Sequence, residues 1–153
     1  MFVDFSKAFD SINRVYMAQA LTAYGIPPYL IRAALSLYSN PTARVMSTEG
    51  LSVQFNLDHG VLQGDTLAPF LFIIVLDYAL RRALDTDVSL SDIKNGQWGF
   101  FLRDRKGPRR PALYLTDTDL ADDIGLYSIS YEATQRMLDA VIRETKAAGL
   151  FST

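Results

Sequence analysis

The sequence predicts an α+β fold, an antiparallel β-sheet with helices packed on one face. Two observations lead to this prediction. Helix and strand patterns follow each other in the order βααββαβββα, and the first strand is far in sequence from a hairpin pattern at residues 112–127. The 153 residues are the length of one domain, and an apolar content of 49% allows a sizeable core. We therefore expect a single domain over residues 1–153.

The N-terminal segment predicts a strand followed by a helix. The first five residues are apolar enough to form a buried strand and carry one carboxylate, Asp4. Asp10 or Ser11 is a candidate N-cap for a helix over residues 12–24, and Gly25 is positioned to end that helix.

A second helix and a hairpin are expected next. The proline pair at 27–28 predicts the start of a helix over 29–38. Strands over 43–48 and 51–57 would then form a hairpin with a turn at 49–50, because apolar and polar residues alternate along the second of them.

The segment at 59–70 is a glycine-punctuated loop that runs into a helix. Asp65 or Thr66 is a candidate N-cap, and Pro69 lies near the first turn, where proline is tolerated. The helix is expected to reach Ala83 and to be buried on several sides, because it is apolar nearly all round.

The C-terminal half predicts mixed structure. Residues 84–97 are polar and turn-rich and predict a surface connection, whereas 98–102 predict a strand. The basic segment Arg103–Arg110 is either a phosphate-binding surface or a solvated loop, and its composition fits both. An amphipathic helix over 131–148, ended by Gly149, completes the pattern.

The composition excludes several kinds of site. The absence of cysteine rules out disulfides, thiol nucleophiles and cysteine-bound zinc, and the single histidine, His59, rules out multi-histidine metal sites. The net charge of −2 gives no global sign of nucleic-acid binding. With no signal peptide and no apolar run long enough to cross a bilayer, we expect an intracellular protein that is not in a membrane. Both ends look like interrupted strands, which predicts a fragment of a longer protein.

Two adjacent aspartates, Asp122 and Asp123, lie at or near the turn of the 112–127 hairpin. Neighbouring carboxylates repel each other, so a bound cation is one explanation, and their hard oxygens suit Mg²⁺ or Mn²⁺. A plain polar turn is the equally open alternative, since Asp is common in turns. Asp117 and Asp119 share one strand face, and we expect them to lie outside the metal site.

Three segments in sequence order resemble motifs of the reverse transcriptases of non-LTR (LINE-type) retrotransposons. Residues 2–10, Phe-Val-Asp-Phe-Ser-Lys-Ala-Phe-Asp, resemble the first catalytic motif. Residues 60–72, Gly-Val-Leu-Gln-Gly-Asp-Thr-Leu-Ala-Pro-Phe-Leu-Phe, resemble the next one, and 120–124, Leu-Ala-Asp-Asp-Ile, are similar to the aromatic-Ala-Asp-Asp motif. The resemblance spans nearly the whole chain. It implies the palm subdomain of a right-hand polymerase, with the fingers and thumb segments missing.

The resemblance also implies a metal site. Its catalytic carboxylates would be Asp4, Asp122 and Asp123. Asp4 and Asp122 would bridge two Mg²⁺ ions, or Mn²⁺ in their place, while Asp123 would support the site. The backbone carbonyl of Phe5 would complete one coordination shell. One position departs from the family, because Leu120 stands where Tyr or Phe is usual, and this removes an aromatic surface near the primer end.

A nucleotide-binding surface formed by Phe9, Gln63 and Gly64 is implied in the same way. Phe9 lies where the family has an aromatic ring under the incoming sugar, and such a ring would collide with a 2′-hydroxyl and favour deoxynucleotides. Gly64 would let the backbone approach closely, and Gln63 offers an amide for sugar or phosphate contacts. By residue type alone, Phe9 also fits a core position and the glycine loop also fits a helix start.

The function implied is RNA-directed DNA polymerase activity, in which a DNA primer is extended on an RNA template with dNTPs as part of a retrotransposon-derived protein. The alternative is an inactive transposon remnant that acts only as a nucleic-acid or protein-binding fragment. A two-metal nuclease would use the same acids, but it gives no reason for Phe9, Gln63 or Gly64.

Overall fold

The structure is a computed structural model and describes residues 1–62, 64–84, 98–103 and 113–152. Helices and small antiparallel sheets are mixed along these residues, which is compatible with the predicted α+β class. The helices are α1 (Ala8–Ser11), α2 (Arg14–Ala23), α3 (Pro28–Leu37), α4 (Ala68–Leu84) and α5 (Tyr131–Ala147). The strands are β1 (Phe2–Val3), β2 (Phe5–Ser6), β3 (Thr42–Ala43), β4 (Met46–Ser47), β5 (Gly50–Leu51), β6 (Phe55–Asn56), β7 (Phe100–Arg103), β8 (Leu113–Leu115), β9 (Asp117–Leu120), β10 (Asp123–Leu126) and β11 (Phe151–Ser152).

The central sheet consists of three antiparallel strands in the order β1-β10-β9. Val3 lies opposite Ile124 in this sheet, and the two side chains are 5% and 0% exposed. Phe2 and Leu120 point to the other face and are 86% and 77% exposed. One face of the sheet is therefore packed on the core and the other face is open.

Helix α4 lies at the centre of the core, where it packs against both α2 and α5. Nine of its residues are buried, as its nearly continuous apolar sequence predicted, and Phe72 and Val75 are almost fully enclosed. Arg82 extends from the polar end of α4 and forms an ion pair with Glu144 of α5, with 2.9 Å between Nε and Oε2. No helix in the described part of the chain is both long enough and apolar enough to cross a membrane.

The helices end where the sequence predicts, at glycines in the left-handed conformation. Gly25 follows α2 with a φ of +72°, and Gly149 follows α5 with a φ of +85°. The proline pair likewise begins α3, in which Pro28 is the first helical residue. Glycine and proline therefore fix these boundaries through local backbone preference alone.

The start of α2 differs from the prediction. Neither Asp10 nor Ser11 caps this helix, because both belong to the short helix α1, and extended backbone at Ile12 separates the two helices. The N-cap is Asn13, whose side chain accepts hydrogen bonds from two backbone N–H groups of the first turn. The predicted helix over 12–24 is thus shorter at its N-terminus.

The hairpin predicted over 43–57 forms as two short ladders, β4 with β5 and β3 with β6. Its turn consists of Thr48 and Glu49, one residue earlier than predicted. Between the ladders the Ser52 hydroxyl accepts a hydrogen bond from the N–H of Val45 at 2.9 Å. This side-chain bond takes the place of a main-chain ladder bond and divides the hairpin.

The hairpin that carries the adjacent aspartates is confirmed, with one change. Strands β9 and β10 pair antiparallel around a turn at Ala121 and Asp122. The first predicted strand is divided at Thr116, because β8 pairs with β7 and only β9 pairs with β10. Strand β7 corresponds to the strand predicted over 98–102, shifted by one or two residues.

Two predicted surface segments lie outside the described residues. These are the polar connection after Leu84, at residues 85–97, and the basic segment after Arg103, at residues 104–110. Their predicted roles stay predictions.

Candidate active site

The sheet register brings distant carboxylates to one end of the central sheet. Phe2 lies opposite Gly125 and Val3 opposite Ile124, so continuing this register by one residue puts Asp4 opposite Asp123. The chain then leaves β1 at Asp4 and pairs with a different strand, β11, through β2. Asp4 therefore follows β1 at the end of the sheet where the turn of the β9–β10 hairpin also lies.

The three predicted metal ligands differ in exposure. Asp4 and Asp123 are exposed, and Asp122, in the turn, is half-buried. Phe5, the residue whose carbonyl was predicted as a further ligand, directly follows Asp4, and its side chain is buried. Within the described residues, no three acidic or histidine side chains are close enough together to hold a metal ion. The strand pairing puts the predicted ligands at the same end of the central sheet, and their oxygen chemistry fits Mg²⁺, but their metal-binding role stays a prediction.

Asp117 and Asp119 lie on the face of the hairpin that packs on the core, opposite to the face of Asp123. The alternation along the strand predicted that these two aspartates share a face. Asp119 is opposite the buried Ile124 and lines a cavity of about 280 Å³ together with Tyr24 and Asp77. Although the residue as a whole is exposed, the walls of this cavity partly desolvate its carboxylate. Desolvation raises the pKa of Asp119 to about 6, and the negative charges of Asp117 and then Asp77 add to the effect.

Phe9 and Gly64, two of the three residues predicted to bind the nucleotide, line the same cavity. The cavity has a volume of about 420 Å³ and is lined in addition by Asp65, Ala68 and Pro69. The Phe9 ring stacks on the ring of Phe72 in α4, with centroids 4.8 Å apart and an interplanar angle of 27°. The ring of Phe9 is therefore fixed by the core on one side and faces the cavity near Gly64. Gln63 lies outside the described residues.

The backbone conformation at position 64 requires glycine. Its φ is +89°, in the region that side chains disfavour, yet a Cβ atom built there would have no neighbour within 4 Å. Gly60, at the start of the same loop, differs because a Cβ would lie 2.5 Å from the backbone oxygen of Asp10. The loop is thus packed tightly against α1 at its start and open at Gly64.

Arg14 holds the start of this loop, a role that no local sequence pattern indicated. Its guanidinium donates hydrogen bonds to the carbonyl oxygens of Gly60, Leu57 and His59, and to that of Tyr38 at the end of α3. The four donor–acceptor distances lie between 2.9 and 3.0 Å. Burial lowers the pKa of Arg14, against the raising effect of nearby Asp58.

The end of the loop is held by Tyr38 and Asp65. The Tyr38 hydroxyl donates a hydrogen bond to Asp65 Oδ2 at 2.7 Å, and Asp65 Oδ1 accepts the N–H of Leu67 at 3.0 Å. Asp65 therefore stabilises the turn before α4, but the helix begins at Ala68, so neither of the two predicted N-caps, Asp65 and Thr66, directly precedes it. The bond to Leu67 and then that to Tyr38 lower the pKa of Asp65, whereas burial and then the bond to Asp65 raise the pKa of Tyr38 to about 12.

Acids from two chain segments lie at the same end of an antiparallel sheet, and this arrangement points to the nucleic-acid polymerases as a class of protein. The family model described as reverse transcriptase (RNA-dependent DNA polymerase) matches residues 1–151. The chain therefore belongs to the reverse transcriptase family, and the resemblance found in its motifs is confirmed.

Among known proteins, the chain is similar to Pol polyproteins of R2 retrotransposable elements. It is 35% identical over 79 residues to the retrovirus-related Pol polyprotein from type-2 retrotransposable element R2DM of Drosophila melanogaster, over 52% of this chain and 8% of that protein. It is 30% identical over 83 residues to the Pol polyprotein from type-1 retrotransposable element R2 of Popillia japonica, over 54% of this chain and 14% of that protein. The matching element of Nasonia vitripennis is 35% identical over 82 residues, which cover 52% of this chain and 8% of the relative. The matches thus cover only a small part of each relative.

Proposed function

We propose that this chain is the palm of an RNA-directed DNA polymerase in a non-LTR retrotransposon protein. Its substrates would be an RNA template, a DNA primer and dNTPs, and its cofactors two Mg²⁺ ions, for which Mn²⁺ can substitute. Fingers and thumb segments would complete the polymerase. The observation that carries the proposal is the register of β1 and β10, because it brings Asp4 and the Asp122-Asp123 turn to the same end of the sheet in a member of this family.

Asp4, Asp122 and Asp123 would hold the metal ions. Two bound Mg²⁺ ions would stabilise the attacking 3′-oxygen of the primer and the leaving oxygen of the dNTP. Asp4 and Asp122 would be the main ligands of the ions, and Asp123 would support the site. The backbone carbonyl of Phe5 is positioned next to Asp4 along the chain and would fill one further coordination position.

Phe9 would select the sugar of the incoming nucleotide. Its ring is stacked on Phe72, so it cannot easily move away from a ligand in the cavity. A ribose 2′-hydroxyl pressed against this fixed ring would lose its hydration without gaining a hydrogen bond, which favours dNTPs over rNTPs. Gly64 also lines the cavity, and Gln63 would contact the sugar or phosphates from the same loop.

The proposal is tested by primer extension with the full-length protein, an RNA template, dNTPs and Mg²⁺. We expect Asp122→Ala to lower the rate of extension by at least about 100-fold, because the loss of a metal ligand exceeds the effect of losing an outer hydrogen-bond partner. Asp139→Ala is the matched control, since this exposed aspartate lies on α5 and should leave extension unchanged. Equal activity of Asp122→Ala and the wild-type protein would exclude the proposed role.

A second candidate is an inactive remnant that only binds nucleic acid or protein. Two observations favour it: the described acids do not form a metal-binding cluster, and Leu120 leaves an exposed aliphatic side chain where the family has an aromatic ring. An inactive remnant would bind nucleic acid equally well in the wild-type protein and in Asp4→Asn, and neither protein would extend a primer.

A further inference from the structure

We propose that Tyr38 is a positioning residue for the incoming nucleotide, which acts through Asp65 to hold Gly64 at the wall of the Phe9 cavity. The inference rests on the proposed function, because it assigns a role in the same nucleotide pocket. Tyr38 is not one of the residues that line the cavity and therefore acts only through its hydrogen bond.

The first step of the argument is the geometry at the end of the loop. Both Gly64 and Asp65 line the cavity. Glycine has the least restricted backbone of the residue types, so the neighbours of Gly64 must define its position. Asp65 is fixed through both carboxylate oxygens, one of which accepts the Leu67 N–H and the other the Tyr38 hydroxyl. Losing one of these bonds would let the carboxylate rotate and the adjacent peptide move.

The second step is that Tyr38 is itself rigidly held. Its side chain is 1% exposed, and the guanidinium of Arg14 lies 5.7 Å from the centroid of its ring. Arg14 is itself held in place by hydrogen bonds. Its guanidinium donates to the Tyr38 carbonyl oxygen at 2.9 Å and to three carbonyl oxygens at the start of the loop. The same arginine therefore fixes the start of the loop and the tyrosine that fixes its end.

The third step is to separate an effect on the position of Gly64 from an effect on the stability of the fold, and Tyr38→Phe does this. In Tyr38→Phe the buried ring and the Arg14 contacts to the backbone carbonyl and ring remain, and only the hydroxyl is lost. The metal-binding acids are on other segments and are not touched by this change. A looser Gly64 wall should therefore weaken nucleotide binding while the chemical step is nearly preserved, so the effect falls on KM and not on kcat.

The experiment is single-nucleotide incorporation by the full-length protein, with kcat and KM for dNTP measured separately. We expect Tyr38→Phe to raise KM about fivefold, the effect of one lost hydrogen bond, with kcat within about twofold of the wild-type value. The matched control is Tyr24→Phe, which also removes a tyrosine hydroxyl that donates to a carboxylate, that of Asp77. Asp77 lies on α4 about 13 Å along the axis from Ala68, away from the Phe9 cavity. The control should leave KM unchanged.

A double-mutant cycle tests that Tyr38 acts through Asp65. Asp65→Ala should raise KM at least as much as Tyr38→Phe, and the double variant should match Asp65→Ala alone, because the two residues share one interaction.

If the rise in KM of the double variant were the product of the two single rises, the inference would be overturned, as it would by an unchanged KM in Tyr38→Phe. If Tyr38→Phe does not fold, as judged by its melting curve, Asp65→Asn is the second variant, because it keeps an oxygen for the Leu67 N–H and replaces the oxygen that accepts the Tyr38 hydroxyl; an unchanged KM in this variant would also overturn the inference. A wild-type protein that incorporates no nucleotide would overturn the proposed function and this inference together, whereas an active wild type with unchanged KM in the variants would overturn the inference alone.

Discussion

At the scale of single residues, Asp119 makes the stability of the fold depend on pH. Its pKa is about 6 in the folded chain, against about 3.9 for an unfolded aspartate. Between these values the folded state binds the proton more readily than the unfolded state, so the free energy of unfolding falls as the pH rises from about 4 to 6 and levels off above. Because the residue is partly exposed, solvent screening should reduce the loss to about 1 kcal/mol.

Asp119→Asn tests this prediction, since the amide has the same shape and cannot ionise. The variant should become more stable than the wild-type protein as the pH rises from 4 to 7, and the difference should reach about 1 kcal/mol. Urea unfolding of both proteins at several pH values in this range measures the difference. A difference that is constant with pH would show that ionisation of Asp119 does not contribute.

The structural roles of some single residues could be predicted from the sequence, and those of others could not. The face occupied by Asp119 follows from alternation along a strand, so it was predictable. Arg14 and Tyr38 were not, because an arginine at a helix start and a tyrosine at a helix end have no distinctive local pattern. Their importance comes from contacts with residues 57–60 and Asp65, which are brought together only by the fold.

At the scale of elements, the end of α5 is packed closely against the backbone between α1 and α2. A Cβ atom at Gly149 would lie 2.3 Å from the backbone oxygen of Ser11, whereas one at Gly25 would meet nothing within 4 Å. Both glycines have positive φ, so the pair separates the cost of close packing from that of backbone conformation. Gly25→Ala should lose about 1 kcal/mol of stability and Gly149→Ala about 3 kcal/mol. Denaturant unfolding measures both losses, and equal losses would contradict the packing explanation.

Element boundaries were predictable where glycine or proline sets them, as at Gly25, Gly149 and Pro28. They were less predictable where polar residues compete for the same role. Asp10, Ser11 and Asn13 are all good N-caps, and the choice depends on Ile12, which is fully buried and extended, so that α2 can begin only after it. The two divided hairpins have a similar cause. In the 43–57 hairpin the Ser52 hydroxyl replaces a regular ladder bond, and in the 112–127 hairpin β8 pairs with β7 in place of β10.

At the scale of the whole molecule, residues 4 and 122 are 118 positions apart in the sequence, and the pairing of β1 with β10 puts them at the same end of the central sheet. The motifs that contain these two residues predicted the family correctly. The order of β1 beside β10 was not predictable from local patterns, because strand pairing over this distance depends on the complete core. The proposed metal site would therefore exist only in the folded state, and metal binding should stabilise that state.

A metal ion that binds only the folded protein should raise its free energy of unfolding by about 2.7 kcal/mol at a concentration of 100 times Kd. We expect Mn²⁺ to raise the melting temperature of the full-length wild-type protein, and Asp4→Asn to remove most of this increase, because it removes a carboxylate that the hairpin acids cannot replace. Asp139→Asn, which changes an exposed aspartate of α5, should keep the full increase. Thermal unfolding of the three proteins with and without Mn²⁺ measures these effects. If Asp4→Asn were stabilised as much as the wild-type protein, Mn²⁺ would bind elsewhere, and the register that brings residue 4 to the hairpin would have no catalytic meaning.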